Sequence, residues 1–207
     1  METSQTFNNA ENQLQLINFL EAFLPAVDSA IPTEINEGGC GIFAKHLYLN
    51  LLTLGLDNKF EIYYLSDKDM LKDLNYTIQN NKINNEHVGV QHCFVKINDF
   101  IFVDSKGVEV SPVLVTKGSK DMFTGVISIE ALQTLIDNDG SWNDVFDRDC
   151  EEQIKTELGK MKEKFENFLT NGTLDVEMVH NTRLTKKTVK AKKSMMGGGL
   201  ARLFGGM

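Results

Sequence analysis

Val88-Gly-Val-Gln-His92-Cys-Phe-Val-Lys-Ile97, then Asn98-Asp99, then Phe100-Ile-Phe-Val-Asp104, is the stretch from which the fold is read. β-Branched and aromatic residues crowd both runs, and these fit a pleated, half-buried surface. Asn-Asp between them is a turn-forming pair, so the two runs form an antiparallel hairpin. Outward from it, Lys59–Leu65 (KFEIYYL) predicts a strand upstream, and Val108–Thr116 and Val126–Ile129 predict further strands of the same sheet. Residues 41–54 are apolar almost all round and end at Gly55, which predicts a buried helix with both Leu51 and Leu52 in the core. Leu14, Leu16, Ile17, Leu20, Phe23 and Leu24 have helical spacing that stops at Pro25, followed by a loop over 26–37. Asp67–Leu74 reads as a short helix, 75–86 as an Asn-rich loop, and Ser128 as the cap of a helix through Asp137. Ile154, Leu158, Met161, Phe165 and Phe168 mark one amphipathic surface helix over Asp149–Leu169, stopped by Asn171-Gly172. The expected fold class is α+β, with the helix that begins near Cys40 packed on a mainly antiparallel sheet and a peripheral C-terminal helix.

Length and composition bound what this sheet can belong to. The chain has 207 residues, 42% hydrophobic and 24% charged, which fits one domain over 1–182 and a tail over 183–207. No apolar run reaches the ~18–20 residues that cross a bilayer, and Met1–Ala10 is polar and acidic, so neither a membrane span nor an exported leader is expected. Three cysteines make no framework of bridges and point to free thiols in a reducing cytoplasm, a host cytoplasm for a viral chain. The net charge of −8 conceals an asymmetry. Seven Lys and Arg and no acidic residue lie from Arg183 onward, leaving 14 basic against 29 acidic residues, net −15, in the body. An acidic body repels phosphate backbones, so only the basic tail suits nucleic acid.

Chemistry concentrates at Asn36-Glu-Gly-Gly-Cys40-Gly-Ile-Phe-Ala. A thiol in the first turn of a helix meets unpaired N–H groups and the positive end of the helix dipole, which favours the thiolate. The glycines clear space beside the sulfur for a substrate backbone. A catalytic thiol needs a base, and the base an orienting acceptor; His92 and Asp104 of the hairpin are the candidates. A two-residue turn would set Ile97 opposite Phe100 and His92 and Asp104 on opposite faces. A three-residue loop (Ile97, Asn98, Asp99) or one bulge pairs Lys96 with Phe100 and sets His92 across from Asp104. The second register is expected, with Asn or Asp supplying the left-handed residue. Taken singly, each residue has a structural alternative: a small core cysteine, a histidine satisfied within a sheet, and a strand-ending aspartate.

The ordered set, Gly-Gly-Cys40-Gly opening an apolar helix, His92-Cys-Phe-Val-Lys on a strand, then Phe-Val-Asp104-Ser-Lys-Gly, resembles the papain-like and transglutaminase-like cysteine superfamily over about residues 36–107. The resemblance implies Cys40 as nucleophile, His92 as general base and acid, and Asp104 as the orienting residue. No glutamine precedes the cysteine where the papain type carries its oxyanion donor; Asn36, with the Cys40 backbone N–H, is the candidate in its place. The function implied is hydrolysis of a peptide or isopeptide bond in a peptide or protein substrate through an acyl-enzyme. A silent binding module of the same fold, or a transglutaminase-like acyltransferase, are the alternatives. No cofactor is implied. His87, His92 and Cys93 lack metal-site spacing, His46 lies off the face of Cys40, and Cys93 alternates to the face opposite His92, so His46 and Cys93 are structural and no metal is expected. Cys150 opens an acidic helix as a surface or packing residue, and Trp142 either pins a loop to the core or lines a cleft. In the tail, Met195-Met-Gly-Gly198 and Leu203-Phe-Gly-Gly206 resemble sites cut by di-glycine-directed cysteine peptidases, and the same basic segment could dock on the acidic body.

Overall fold

The computed structural model describes residues 9–32, 35, 38–80, 82, 89–99, 101–109, 122–138 and 148–171. All of these belong to one compact unit, Met1–Leu174, and the expected tail over 183–207 lies outside them. In chain order the elements are α1 (Asn9–Ala30), α2 (Cys40–Leu52), β1 (Phe60–Asp67), a 3-10 turn (Lys68–Met70) leading into α3 (Leu71–Asn80), β2 (Val90–Ile97), β3 (Ile101–Asp104), β4 (Gly107–Glu109), β5 (Met122–Val126), α4 (Ile129–Asn138), α5 (Arg148–Gly159) and α6 (Met161–Asn171). The class is α+β. All strand pairs are antiparallel, in the order β4-β3-β2-β1-β5.

The hairpin forms, in a register that differs from the expected one. Val95 pairs with Val103, Lys96 with Phe102 and Ile97 with Ile101, so the loop begins at Asn98 rather than at Ile97. Asn98 is the left-handed residue, at φ 53°, as expected of Asn in such a loop. Its position is held by the chain ahead of β1: its N–H donates to the Lys59 carbonyl (2.7 Å), its Oδ1 accepts the Lys59 N–H (2.8 Å), and its Nδ2 donates to Asn58 Oδ1 (2.8 Å). Those contacts are non-local, which is why turn residues alone pointed one position away. The shift is two residues in pairing, an even step. Asp104 therefore keeps the same face as His92 but stands level with Phe94, diagonal to His92 rather than opposite.

Other boundaries moved where packing outweighed local signals. α1 runs through Pro25 to Ala30, although proline removes one helical hydrogen bond and costs ~3 kcal/mol inside a helix. Leu16, Phe19, Leu20, Phe23, Leu24 and Val27 form a continuous buried stripe across that point, and the Ser29 hydroxyl donates to the Pro25 carbonyl (2.7 Å). Asp67 ends β1, and α3 extends to Asn80 into the stretch read as loop, burying Leu74 and Thr77. β4 runs Gly107–Glu109, overlapping the start of the expected 108–116 strand, and residues 110–121 lie outside the described residues. β5 ends at Val126 and Ile129 starts α4, with the Ser128 hydroxyl accepting the Ala131 N–H (3.1 Å) as a cap.

The expected C-terminal surface helix is two helices, broken at Gly159-Lys160, and its apolar stripe is core. Cys150, Ile154, Leu158, Met161 and Phe165 are all buried. α2, conversely, is not buried all round: Leu51 is 0% exposed while Leu52 is 51% exposed. Leu51→Ala is therefore expected to cost ~2–5 kcal/mol, and Leu52→Ala no more than ~0.5 kcal/mol. Urea melts of the two variants measure the difference; equal losses would place α2 wrongly against the sheet.

Candidate active site

Cys40 is the first residue of α2, and the turn ahead of it sets where the sulfur points. Gly38 takes φ 105°, a backbone that side-chain-bearing residues rarely adopt, and the Gly39 N–H closes the turn on the Ile35 carbonyl (2.8 Å). The Phe43 N–H then donates to the Gly39 carbonyl (2.9 Å), which starts the helix without any side-chain cap. Ile42, Phe43, Leu47 and Leu51 share one buried core with Ile62, Tyr64, Val95, Ile97 and Val103 of the sheet, so α2 lies against β1 and β2.

β3 spans four residues, Ile101–Asp104. Its ladder with β2 covers Val95–Ile97, after which the chain turns at Ser105-Lys106 into β4. Val90–Phe94 of β2 lie beyond that ladder, and there His92 and Cys93 act on Cys40 at the N-terminus of α2. The Cys93 thiol, the His92 ring and the Cys93 backbone N–H all act on the ionisation of the Cys40 thiol. His92 Nε2 stands 3.0 Å from Asp104 Oδ2, which leaves Nδ1 as the ring nitrogen for the sulfur. Asp104 Oδ1 accepts the Lys106 N–H (2.7 Å), which locks the carboxylate, and the imidazole stacks on Phe94 (6.0 Å between centroids, 29°).

Charge follows from this geometry. The Cys40 thiol is held well below the usual thiol range: the Cys93 thiol donates to it, burial opposes that, and the hydrogen bond and positive charge of His92 with the Cys93 N–H prevail. Burial alone would lower His92, yet its hydrogen bonds to Asp104 and Cys40 and their negative charges raise it to about 9. Cys93 is pushed well above the usual range by its hydrogen bond to Cys40, by burial and by the Cys40 charge. These shifts favour a Cys40 thiolate beside a His92 imidazolium and keep the Cys93 proton in place.

Of the residues singled out from sequence, Cys40, His92 and Asp104 come together. Asn36 lies outside the described residues, as do His87 and Trp142. Cys93 is buried among apolar residues as expected, yet its thiol and backbone N–H both act on the Cys40 thiol. The Lys106 N–H was likewise missed. His46 has a structural place: with Lys45 it binds Glu151 Oε1 (3.3 Å each), joining α2 to α5. Burial, opposed by Glu151, lowers its pKa. Cys150 is buried in α5. Among the described residues no group of three or more His, Cys, Asp or Glu is placed to hold a metal ion, and no helix is long and apolar enough to cross a membrane. Comparison of the chain with protein-family models, with curated proteins and with solved structures finds no match.

Proposed function

We propose that the chain is a thiol-dependent amide-bond hydrolase of papain-like or transglutaminase-like architecture, acting on a peptide or isopeptide bond. The observation that carries the reading is the continuous array Cys40–His92–Asp104, in which a helix-terminal thiol is ionised against an imidazolium that a locked carboxylate orients. The Cys40 thiolate attacks the carbonyl carbon. Negative charge developing on the carbonyl oxygen is met by first-turn N–H groups of α2, including that of Cys40, which have no intrahelical acceptor. His92 gives its proton to the leaving amine as the C–N bond breaks, leaving an acyl-thioester. Neutral His92 then takes a proton from water, whose oxygen attacks the thioester and releases the acid and the thiolate. Asp104 keeps the ring in the tautomer that both transfers need.

A peptidyl electrophile and a panel of fluorogenic amides test this. Covalent labelling confined to Cys40, with turnover absent in Cys40→Ala, is the expected result. Labelling without hydrolysis of any amide would make the chain a silent module. The alkaline side of the activity profile carries a second expectation. His92 is a cation below about 9, so its acid function is lost as pH rises through that value. Asp104→Asn removes the charge that helps raise this pKa, so the alkaline limb moves to lower pH with the fold unchanged. A limb that stays in place in Asp104→Asn would show that another group sets it.

A further inference from the structure

Lys106 is tied at both ends. Its backbone N–H donates to Asp104 Oδ1 (2.7 Å), while His92 uses Oδ2 of the same carboxylate, and its side-chain Nζ donates to Asp28 Oδ2 on α1 (3.1 Å). The Asp28 side chain is 7% exposed against 50% for that of Lys106, so the buried member of the ion pair is the one on the helix. A second contact lies alongside. Gly107, which closes the turn opposite Asp104 at φ 130°, stands against α1, where an added Cβ would lie 3.9 Å from Pro25 Cγ. Pro25 and Asp28 are three residues apart on α1 and share a face of it, and Ser105 of the turn is fully buried. We propose that Asp28 and Lys106 are positioning residues for the site: their ion pair fastens the β3–β4 turn to α1, and the fastened turn holds the Asp104 carboxylate against the His92 ring. The inference rests on the amide-bond reading for its consequence in turnover, whereas the coupling from α1 to the ring is a property of the folded chain.

β3 and β4 are four and three residues long, so their own ladder restrains the turn weakly, and the 22-residue α1 supplies the rigid reference. A carboxylate removed from water is stabilised by a cation held in place, and it restrains that cation's backbone in return. α1 reaches the turn because it continues past Pro25, and Asp28 lies in the stretch beyond that proline. Charge and position predict opposite signs at Lys106. His92 faces Asp104 from β3 and Cys40 from α2, and across the ladder it meets the uncharged Leu65 of β1. Through its field alone, loss of the Lys106 cation would raise the His92 pKa, since a positive charge disfavours the imidazolium. Through position, the same substitution loosens Asp104 and lowers it: burial depresses this group, and the hydrogen bond to Asp104 leads the influences that raise it to about 9.

An NMR titration of the labelled His92 ring in the full chain, with kcat and KM on a fluorogenic amide, reads the coupling. Lys106→Met keeps the backbone N–H and a stem of similar length. The His92 pKa is expected to fall by about 0.5–1 unit, and the alkaline limb with it. kcat is expected to fall roughly 10-fold with KM within about twofold, because binding is untouched and the orientation of the base is not. Lys106→Arg, which can pair with the same carboxylate, is expected to recover most of both losses. Asp28→Asn should repeat them, and in the double variant the second change should add little. A His92 pKa that rises or stays in place in Lys106→Met overturns the proposal. So does a lowered urea midpoint with pKa and kcat unchanged, which is what an ion pair of structural use only would give. Lys106 is half exposed, so its variant decides even where Asp28→Asn does not fold. The titration needs no substrate: a wild type that turns over no amide yet shows the shift overturns the amide reading and supports the positioning, whereas full turnover with an unshifted ring in Lys106→Met overturns the positioning alone.

Discussion

Replacing His92 with alanine is expected to lower amide turnover by about 10²–10⁴, because one side chain acts as both proton donor and acceptor. Alkylation of Cys40 isolates the ionisation from the turnover. In the wild type the iodoacetamide rate is expected to persist well below the usual thiol range, since the thiolate is favoured by Cys93 and by the His92 hydrogen bond and charge. In His92→Ala an ordinary thiol of pKa ~8.5 would be ionised to about one part in 3000 at pH 5, and its rate would fall tenfold per unit below its pKa. The greater nucleophilicity of a less acidic thiolate offsets part of this, so the expected slowing at pH 5 is roughly 10- to 100-fold. A rate that persists equally in His92→Ala would mean that the Cys93 thiol and N–H suffice to ionise Cys40, and that His92 is not its ion-pair partner.

Phe165→Ala is expected to cost ~3–5 kcal/mol, a large share of the ~5–15 kcal/mol that stabilises a typical domain. α6 presents this ring to α1, where it meets Phe19 edge-on (5.1 Å, 63°), while Phe19 also stacks on Phe23 (5.0 Å, 15°). Phe165 is 4% exposed, so truncation leaves a cavity between two helices rather than a wetted surface. The urea midpoint is expected to fall by more than in Leu51→Ala, because an aromatic ring leaves the larger void. A loss below ~1 kcal/mol would show that α6 docks loosely, as an amphipathic surface helix would.

The sequence by itself determined what depends on neighbours along the chain. The hairpin followed from two β-rich runs around Asn98-Asp99, the α4 cap from Ser128, and the helix opening at Cys40 from the glycines before an apolar run. The strand period of two was also enough to put His92 and Asp104 on one face in any even register, so their meeting survived an error of two in the pairing. Tertiary structure decided the rest. The register rests on Asn98 reaching residues 58 and 59, and α1 passes Pro25 because a buried stripe outweighs one missing hydrogen bond. The stripe of α5 and α6 is core because α1 and α2 supply its other wall, which periodicity cannot reveal. Cys93 is the clearest case. Alternation placed its side chain in the core, but it could not show that α2, from a distant part of the chain, brings the Cys40 thiol within its influence.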